Sequence, residues 1–255
     1  MQQSIDISGA LDGLRADREA LLELAWSLEP DQWEAPSGCA GWSTKDVISH
    51  MAALFYSAVD ASVLPATDGL GVEEAAALIV DSRRAMTPKE VFEDYEAVSA
   101  KAFDALAFIA TLDVDIPFSA FESHPAATVP LAFCFDHYTH IRSDLFAPRG
   151  SLEGPPPPAD ALRLAPTLEW IQVALPSQNM AISARLPGRL DLIVDGPAAR
   201  TITVGDGDGE AAATVRCDGD GLVRWVTHRA SWEDVGAEAA GSPGALELAR
   251  ELHVF

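Results

Sequence analysis

Residues 155–158 are four consecutive prolines, and they divide this 255-residue chain into stretches that cannot share one packing pattern. A proline run has fixed φ and no amide donors, so it forms a stiff extended spacer rather than an inner strand or helix. Before it, apolar residues recur with helical period. After it, they alternate in short segments between Gly/Asp turns. Residues 1–150 are expected to form a helical bundle, 151–158 a Pro-rich linker, and 159–255 a small α/β domain.

Within the first stretch, Leu11, Leu14, Ala20, Leu21, Leu24 and Leu28 recur at helical spacing among Arg15, Asp17, Arg18 and Glu19. A second helix is expected over 43–61. Ser43 can cap it, Asp46 can close a capping box, and Trp42 can staple onto Val47. Residues 72–86 and 88–110 read as further helices, with Pro88 suited to a first helical position. Residues 113–130, carrying Pro117, Pro125 and Pro130, read as a connecting loop, and another helix follows that ends before Pro148. Beyond the prolines, 162–174, 221–228 and 243–252 read as helices, and 190–194, 200–204 and 211–216 as strands.

Chemistry concentrates in Phe133-Cys-Phe-Asp136-His137-Tyr-Thr-His140-Ile-Arg-Ser-Asp144. On a helix, Asp136 and His140 lie one turn apart on one face and can grip a single ion. His50, on the helix begun by Ser43, is the third candidate ligand. Three protein ligands with a fourth position open is the arrangement of a catalytic zinc, and helical bundles build such sites from inward-facing side chains. Without a metal, Asp136 and His140 would be a carboxylate–imidazole pair. Asp46 and His50 repeat the spacing, but the capping box already employs Asp46. His137 points about 100° away from Asp136 and is assigned a supporting or surface role. His124 falls in the expected loop, and His228 and His253 carry no spacing signal. Arg142 and Arg149, flanking the end of the metal helix, read as surface residues.

Several functions are excluded or disfavoured. Acidic residues outnumber basic ones 39 to 17, a formal charge of −22 that repels phosphate backbones and anionic lipid. No apolar run reaches the roughly 18 residues a membrane span needs, and Met1-Gln-Gln-Ser-Ile-Asp lacks a signal-peptide pattern. Cys39, Cys134 and Cys217 form no Cys-x-x-Cys, which fits a reduced cytoplasm and small buried residues. There is no Gly-x-Ser-x-Gly elbow and no phosphate-binding glycine loop. Gly205-Asp-Gly-Asp-Gly209 lacks the closing glutamate of a calcium loop and reads as a hairpin turn.

Trp33 through Pro36-Ser-Gly-Cys39-Ala-Gly41-Trp42-Ser43 to Asp46 and His50 resembles the signature of the mycothiol-dependent maleylpyruvate isomerase family. The acidic-x-x-x-His of Asp136 and His140, and the segment Leu222-Val-Arg-Trp225-Val-Thr-His228-Arg229, extend that resemblance over nearly the whole chain. It implies a DinB-like four-helix bundle followed by a sterol-carrier-like α/β domain. It implies His50, Asp136 and His140 as ligands of Zn²⁺ or another divalent metal, with mycothiol as thiol cofactor. It also implies a catalytic role for Arg229 and a cytoplasmic, actinobacterial enzyme, monomeric or homodimeric. Asp136 stands where the family has Glu, and His228 stands where it has Gly before the arginine. The implied reaction adds a metal-held thiolate to an electrophilic small molecule, ending in cis–trans isomerisation or thiol S-transfer. The alternatives are a non-catalytic small-molecule-binding protein, or a metal-dependent hydrolase using the same ligands.

Overall fold

The first helix, α1 (Ile7–Ser27), begins where the Asp6 side chain accepts a hydrogen bond from the Gly9 amide. Its buried face is Ala10, Gly13, Leu14, Asp17, Leu21 and Ala25, spaced three or four residues apart as an inward stripe requires. A short α2 (Pro30–Trp33) follows, then α3 (Thr44–Val59), α4 (Val72–Arg83) and α5 (Pro88–Ile109). Ser43 and Asp46 exchange both capping-box hydrogen bonds at the start of α3, and Thr87 and Glu90 do the same before α5. The computed structural model describes residues 6–119, 122–206 and 209–255. The chain divides into two compact units, Met1–Pro158 and Ala159–Phe255.

Residues 113–130 are not a plain loop. β1 (Asp115–Ser119) and β2 (Glu122–Pro125) pair antiparallel, with Ile116 opposite His124 and Pro117 opposite Ser123. Proline is tolerated there because each strand of a two-stranded ribbon keeps one edge that needs no amide. His124 therefore sits on a strand, buried, with Nε2 beside the Glu122 carboxylate. Pro130 belongs to the first turn of α6 (Val129–Thr139), where a missing N–H leaves nothing unpaired. After α6 the chain widens into a π-helical turn, His140–Leu145.

Helices α1, α3, α5 and α6 pack on one another around Leu14, Leu21, Ile48, Met51, Phe55, Val91, Leu106, Leu131 and Tyr138. A buried ion pair crosses this core. Arg142 offers Nη1 and Nη2 to the two carboxylate oxygens of Asp17 at 3.2 and 2.8 Å, and its guanidinium lies 3.9 Å from the Tyr138 ring centroid. Arg142 is not a surface residue, since the carboxylate and the ring replace its hydration. His137 is likewise not on the surface. It is fully buried, its ring 4.8 Å from that of Phe55, and burial pushes its imidazole down to about 4. Residues 151–158 are bound to the first unit. Leu152 pairs with Phe146, Ser151 donates to the Pro36 carbonyl, and Arg142 donates to that of Pro158.

The second unit is a four-stranded sheet with helices. α7 (Ala161–Gln178) and α8 (Met180–Ser183) precede β3 (Leu190–Asp195), β4 (Arg200–Val204) and β5 (Ala213–Asp218). α9 (Gly219–Val226), β6 (Glu238–Gly241) and α10 (Pro243–Arg250) complete it. Sheet order is β4-β3-β5-β6, with β3 and β5 parallel and both outer pairs antiparallel. Leu190, Leu192, Val194, Ile202, Val204, Ala213 and Val215 are buried at alternate positions, and α7 and α9 pack on the sheet. The turn expected at 205–209 is not a hairpin, because β3 lies between β4 and β5. Residues 207 and 208 of that stretch lie outside the described residues. β6, Glu-Ala-Ala-Gly, carries no strand-forming composition, and it forms because Gly241 at φ 134° passes so close to Ala213 that a Cβ would meet its Cα at 2.4 Å.

Among the described residues, no helix is long and apolar enough to cross a membrane. Cys39 is half-buried, while Cys134 and Cys217 are buried. Burial pushes the Cys217 thiol up to about 12 and holds that of Cys134 far above the usual range. Iodoacetamide labelling of native protein, read by mass spectrometry, is expected to modify Cys39 well before the other two. Equal rates at all three would contradict this burial pattern.

Candidate metal centre

Three elements deliver the site. The capping box fixes where α3 starts, and therefore which way His50 faces seven residues on. Asp136 comes from α6, and His140 from the first position of the π-helical turn. His50 Nε2 lies 3.1 Å from Asp136 Oδ1, and His140 Nε2 lies 3.5 Å from the same oxygen. Donor atoms of the three residues all fall within 4.8 Å of one another. Ligands about 2.0–2.1 Å from a tetrahedral zinc stand about 3.3–3.4 Å apart, so the spacing is close to that of an assembled site. Side-chain exposures of 16% for His50, 19% for Asp136 and 12% for His140 leave the group reachable from solvent. The Trp42 ring, 5.2 Å from that of His50, covers one side.

Burial alone would raise the Asp136 carboxyl, but the charges and hydrogen bonds of His140 and His50 hold it well below the usual carboxylate range. Burial likewise works against charge on His140. The Asp136 carboxylate and hydrogen bonds to Asp136, Asp144 and Cys39 outweigh it, so the imidazole stays well above its ordinary value. A cation held here takes the place of the proton that His140 otherwise directs at Asp136. Asp136 Oδ2 is buried and has no hydrogen-bond partner among the described residues. His137 Nδ1 is 3.7 Å from it but points its hydrogen at the Phe133 carbonyl. A metal at the centre of the triangle would meet Asp136 through Oδ1, the oxygen that both imidazoles face. Two imidazoles and a carboxylate are a donor set that suits zinc.

A second group, Cys39, His140 and Asp144, also brings its donor atoms within 4.8 Å. It would use the other ring nitrogen, since Cys39 Sγ and Asp144 Oδ2 lie 3.7 and 2.8 Å from His140 Nδ1. Asp144 already faces Arg149 Nε at 3.5 Å, so its charge is balanced without a metal. Asp144 and Cys39 were not assigned from the sequence. The available signal was a third polar residue four positions after His140, continuing the series 136, 140, 144.

Asp46 completes the capping box of α3, as its place in the sequence predicted, and also pairs with Arg84. Arg229 lies in the second unit just past α9, its Nη1 directed at the Thr227 carbonyl. The residue before it, His228, holds φ 54°, the left-handed backbone that glycine adopts without strain.

A helical unit with two histidines and an aspartate converging on one point, followed by a small α/β unit, defines a two-unit protein with a group of three side chains able to hold a metal. The sequence pattern of the mycothiol maleylpyruvate isomerase N-terminal domain matches residues 14–140, which include all three ligand candidates. Through this domain the chain belongs to the mycothiol-dependent maleylpyruvate isomerase family. Two crystal structures share the fold along most of both chains. A mycothiol-dependent maleylpyruvate isomerase is 14% identical with a TM-score of 0.59, covering 90% of this chain and 93% of its own. A histidine-to-alanine mutant of the mycothiol-dependent maleylpyruvate isomerase is 14% identical with a TM-score of 0.58, covering 94% and 96%. No curated protein matches in sequence.

Proposed function

We propose that the protein is a metal- and mycothiol-dependent enzyme that adds the cofactor's thiolate to an unsaturated small-molecule electrophile. The convergence of His50 and His140 on Asp136 Oδ1 carries this reading. A divalent metal, zinc by its donor set, would acidify a thiol reaching its open position. The chain's own residues set the conditions. One carboxylate and two neutral imidazoles leave positive charge at the centre, which favours an anionic sulfur there. Trp42 shields the His50 side from water, and the partial exposure of the three ligands leaves an approach for the thiol.

Thiolate addition to a cis carbon–carbon double bond makes the former double bond rotatable. Expulsion of the thiolate after rotation leaves the trans isomer, whereas a thiol retained on the product gives S-transfer. By the family resemblance, Arg229 would bind a substrate carboxylate or the cofactor. Maleylpyruvate, named for the structural relatives, is the first substrate to test.

The test measures turnover of maleylpyruvate with mycothiol present or omitted, before and after chelation. The expected result is turnover that needs both metal and thiol, with mycothiol recovered unchanged if the reaction is isomerisation. Turnover without thiol would overturn the proposal in favour of metal-dependent hydrolysis. Ligand binding indifferent to chelator, with no turnover, would replace it with a binding protein.

A further inference from the structure

His140 has two ring nitrogens, and each faces a different donor group: Nε2 faces Asp136, and Nδ1 faces Asp144 and Cys39. The chain must therefore fix which nitrogen is left free for a metal. We infer that Asp144 is the positioning residue that makes this choice, an inference resting on the metal reading above. An ionised carboxylate carries no hydrogen, so in its 2.8 Å contact with Asp144 Oδ2 the imidazole is the donor and Nδ1 bears the proton. With Nδ1 so occupied, it is the Nε2 proton, directed at Asp136, that gives way to a metal, leaving the Nε2 lone pair facing Asp136 and His50. The proton on Nδ1 also blocks the competing set containing Cys39.

Asp144 is built to be immovable. Its side chain is fully buried, with Oδ1 3.5 Å from Arg149 Nε. The Gly38 amide donates to the Asp144 carbonyl at 2.7 Å, and Arg149 Nη2 donates to the Gly38 carbonyl at 2.7 Å. A Cβ on Gly38 would come within 2.8 Å of Asp144 Oδ1, so the loop presses on the carboxylate with no room to spare. The π-helical turn supplies the alignment. Four residues of α-helix overshoot a full turn by about 40°, so Asp136, His140 and Asp144 would fan out along a regular helix. A wider turn advances less per residue, and beginning it at His140 keeps that drift from repeating before Asp144.

Asp144→Asn tests the assignment. The amide can donate to Nδ1, which drives the ring proton onto Nε2, the nitrogen facing the metal ligands. Zinc affinity, measured by competition with a chromophoric chelator, is expected to fall about 10–100-fold. A second measurement needs no variant: imidazole ¹⁵N NMR of the zinc-loaded wild type, where His140 is expected to carry its proton on Nδ1 and metal on Nε2. Folded Asp144→Asn protein with wild-type zinc affinity, or a proton-free His140 Nδ1 in the loaded wild type, overturns the inference alone. Wild-type protein that takes up no zinc overturns the metal reading and the inference with it.

Discussion

Alanine at His140 is expected to abolish stoichiometric metal binding, and with it all thiol-dependent turnover. His140 supplies one of three converging donors, and two ligands from the protein do not make a tetrahedral site. Loss of a group that merely orients a ligand costs about 10–100-fold in affinity, so loss of the ligand itself should cost more. Elemental analysis after dialysis against metal-free buffer should find about one zinc per wild-type chain and almost none in His140→Ala or His50→Ala. Asp46→Ala is the contrast. Asp46 caps α3 rather than facing the ion, so this variant should keep its metal while losing about 1 kcal/mol of stability. Full occupancy in His140→Ala would remove the centre as drawn.

The largest effect on stability is expected from Asp17→Ala. The side chains of Asp17 and Arg142 are 2% and 3% exposed, and the carboxylate neutralises the guanidinium across α1 and the π-helical turn. Removing it leaves a buried charge with, among the described residues, the Tyr138 face and two backbone carbonyls, a change that costs about 3–5 kcal/mol. Amide hydrogen exchange in α1 reads this loss in the first unit without contribution from the second. Replacing both partners by apolar residues, Asp17→Leu with Arg142→Met, should recover much of it. A single-variant cost below about 1 kcal/mol would mean the pair is solvated.

The parts of this structure legible in the sequence are those governed by local rules. Ser43 and Asp46 announce the start of α3 because capping depends on residues three apart, and Pro88 marks α5 for a similar reason. Spacing also placed Asp136 and His140 on one face and pointed to His50 on a separate helix, and the structure brings the three donor atoms together. What was missed depends on distant partners. Asp17 looks like part of a charged helix face until Arg142, 125 residues later, is found beside it. Asp144 reads as a helix-end carboxylate unless the π-helical turn is known, and no local signal announces that turn. The β1–β2 ribbon was obscured by prolines that edge positions tolerate. β6 is set by backbone approach to β5 rather than by its own composition.

The clasp between the Cys39 loop and the chain around residue 150 has a consequence for biosynthesis. Its hydrogen bonds join residues 111 positions apart (Arg149 to Gly38) and 115 apart (Ser151 to Pro36). A ribosome adding about 5–20 residues per second needs several seconds to supply that much chain. For most of that interval His50 has been made while Asp136, 86 positions later, has not. An ion held by all three side chains would therefore not template the early helices, and its capture would mark the closing of the first unit.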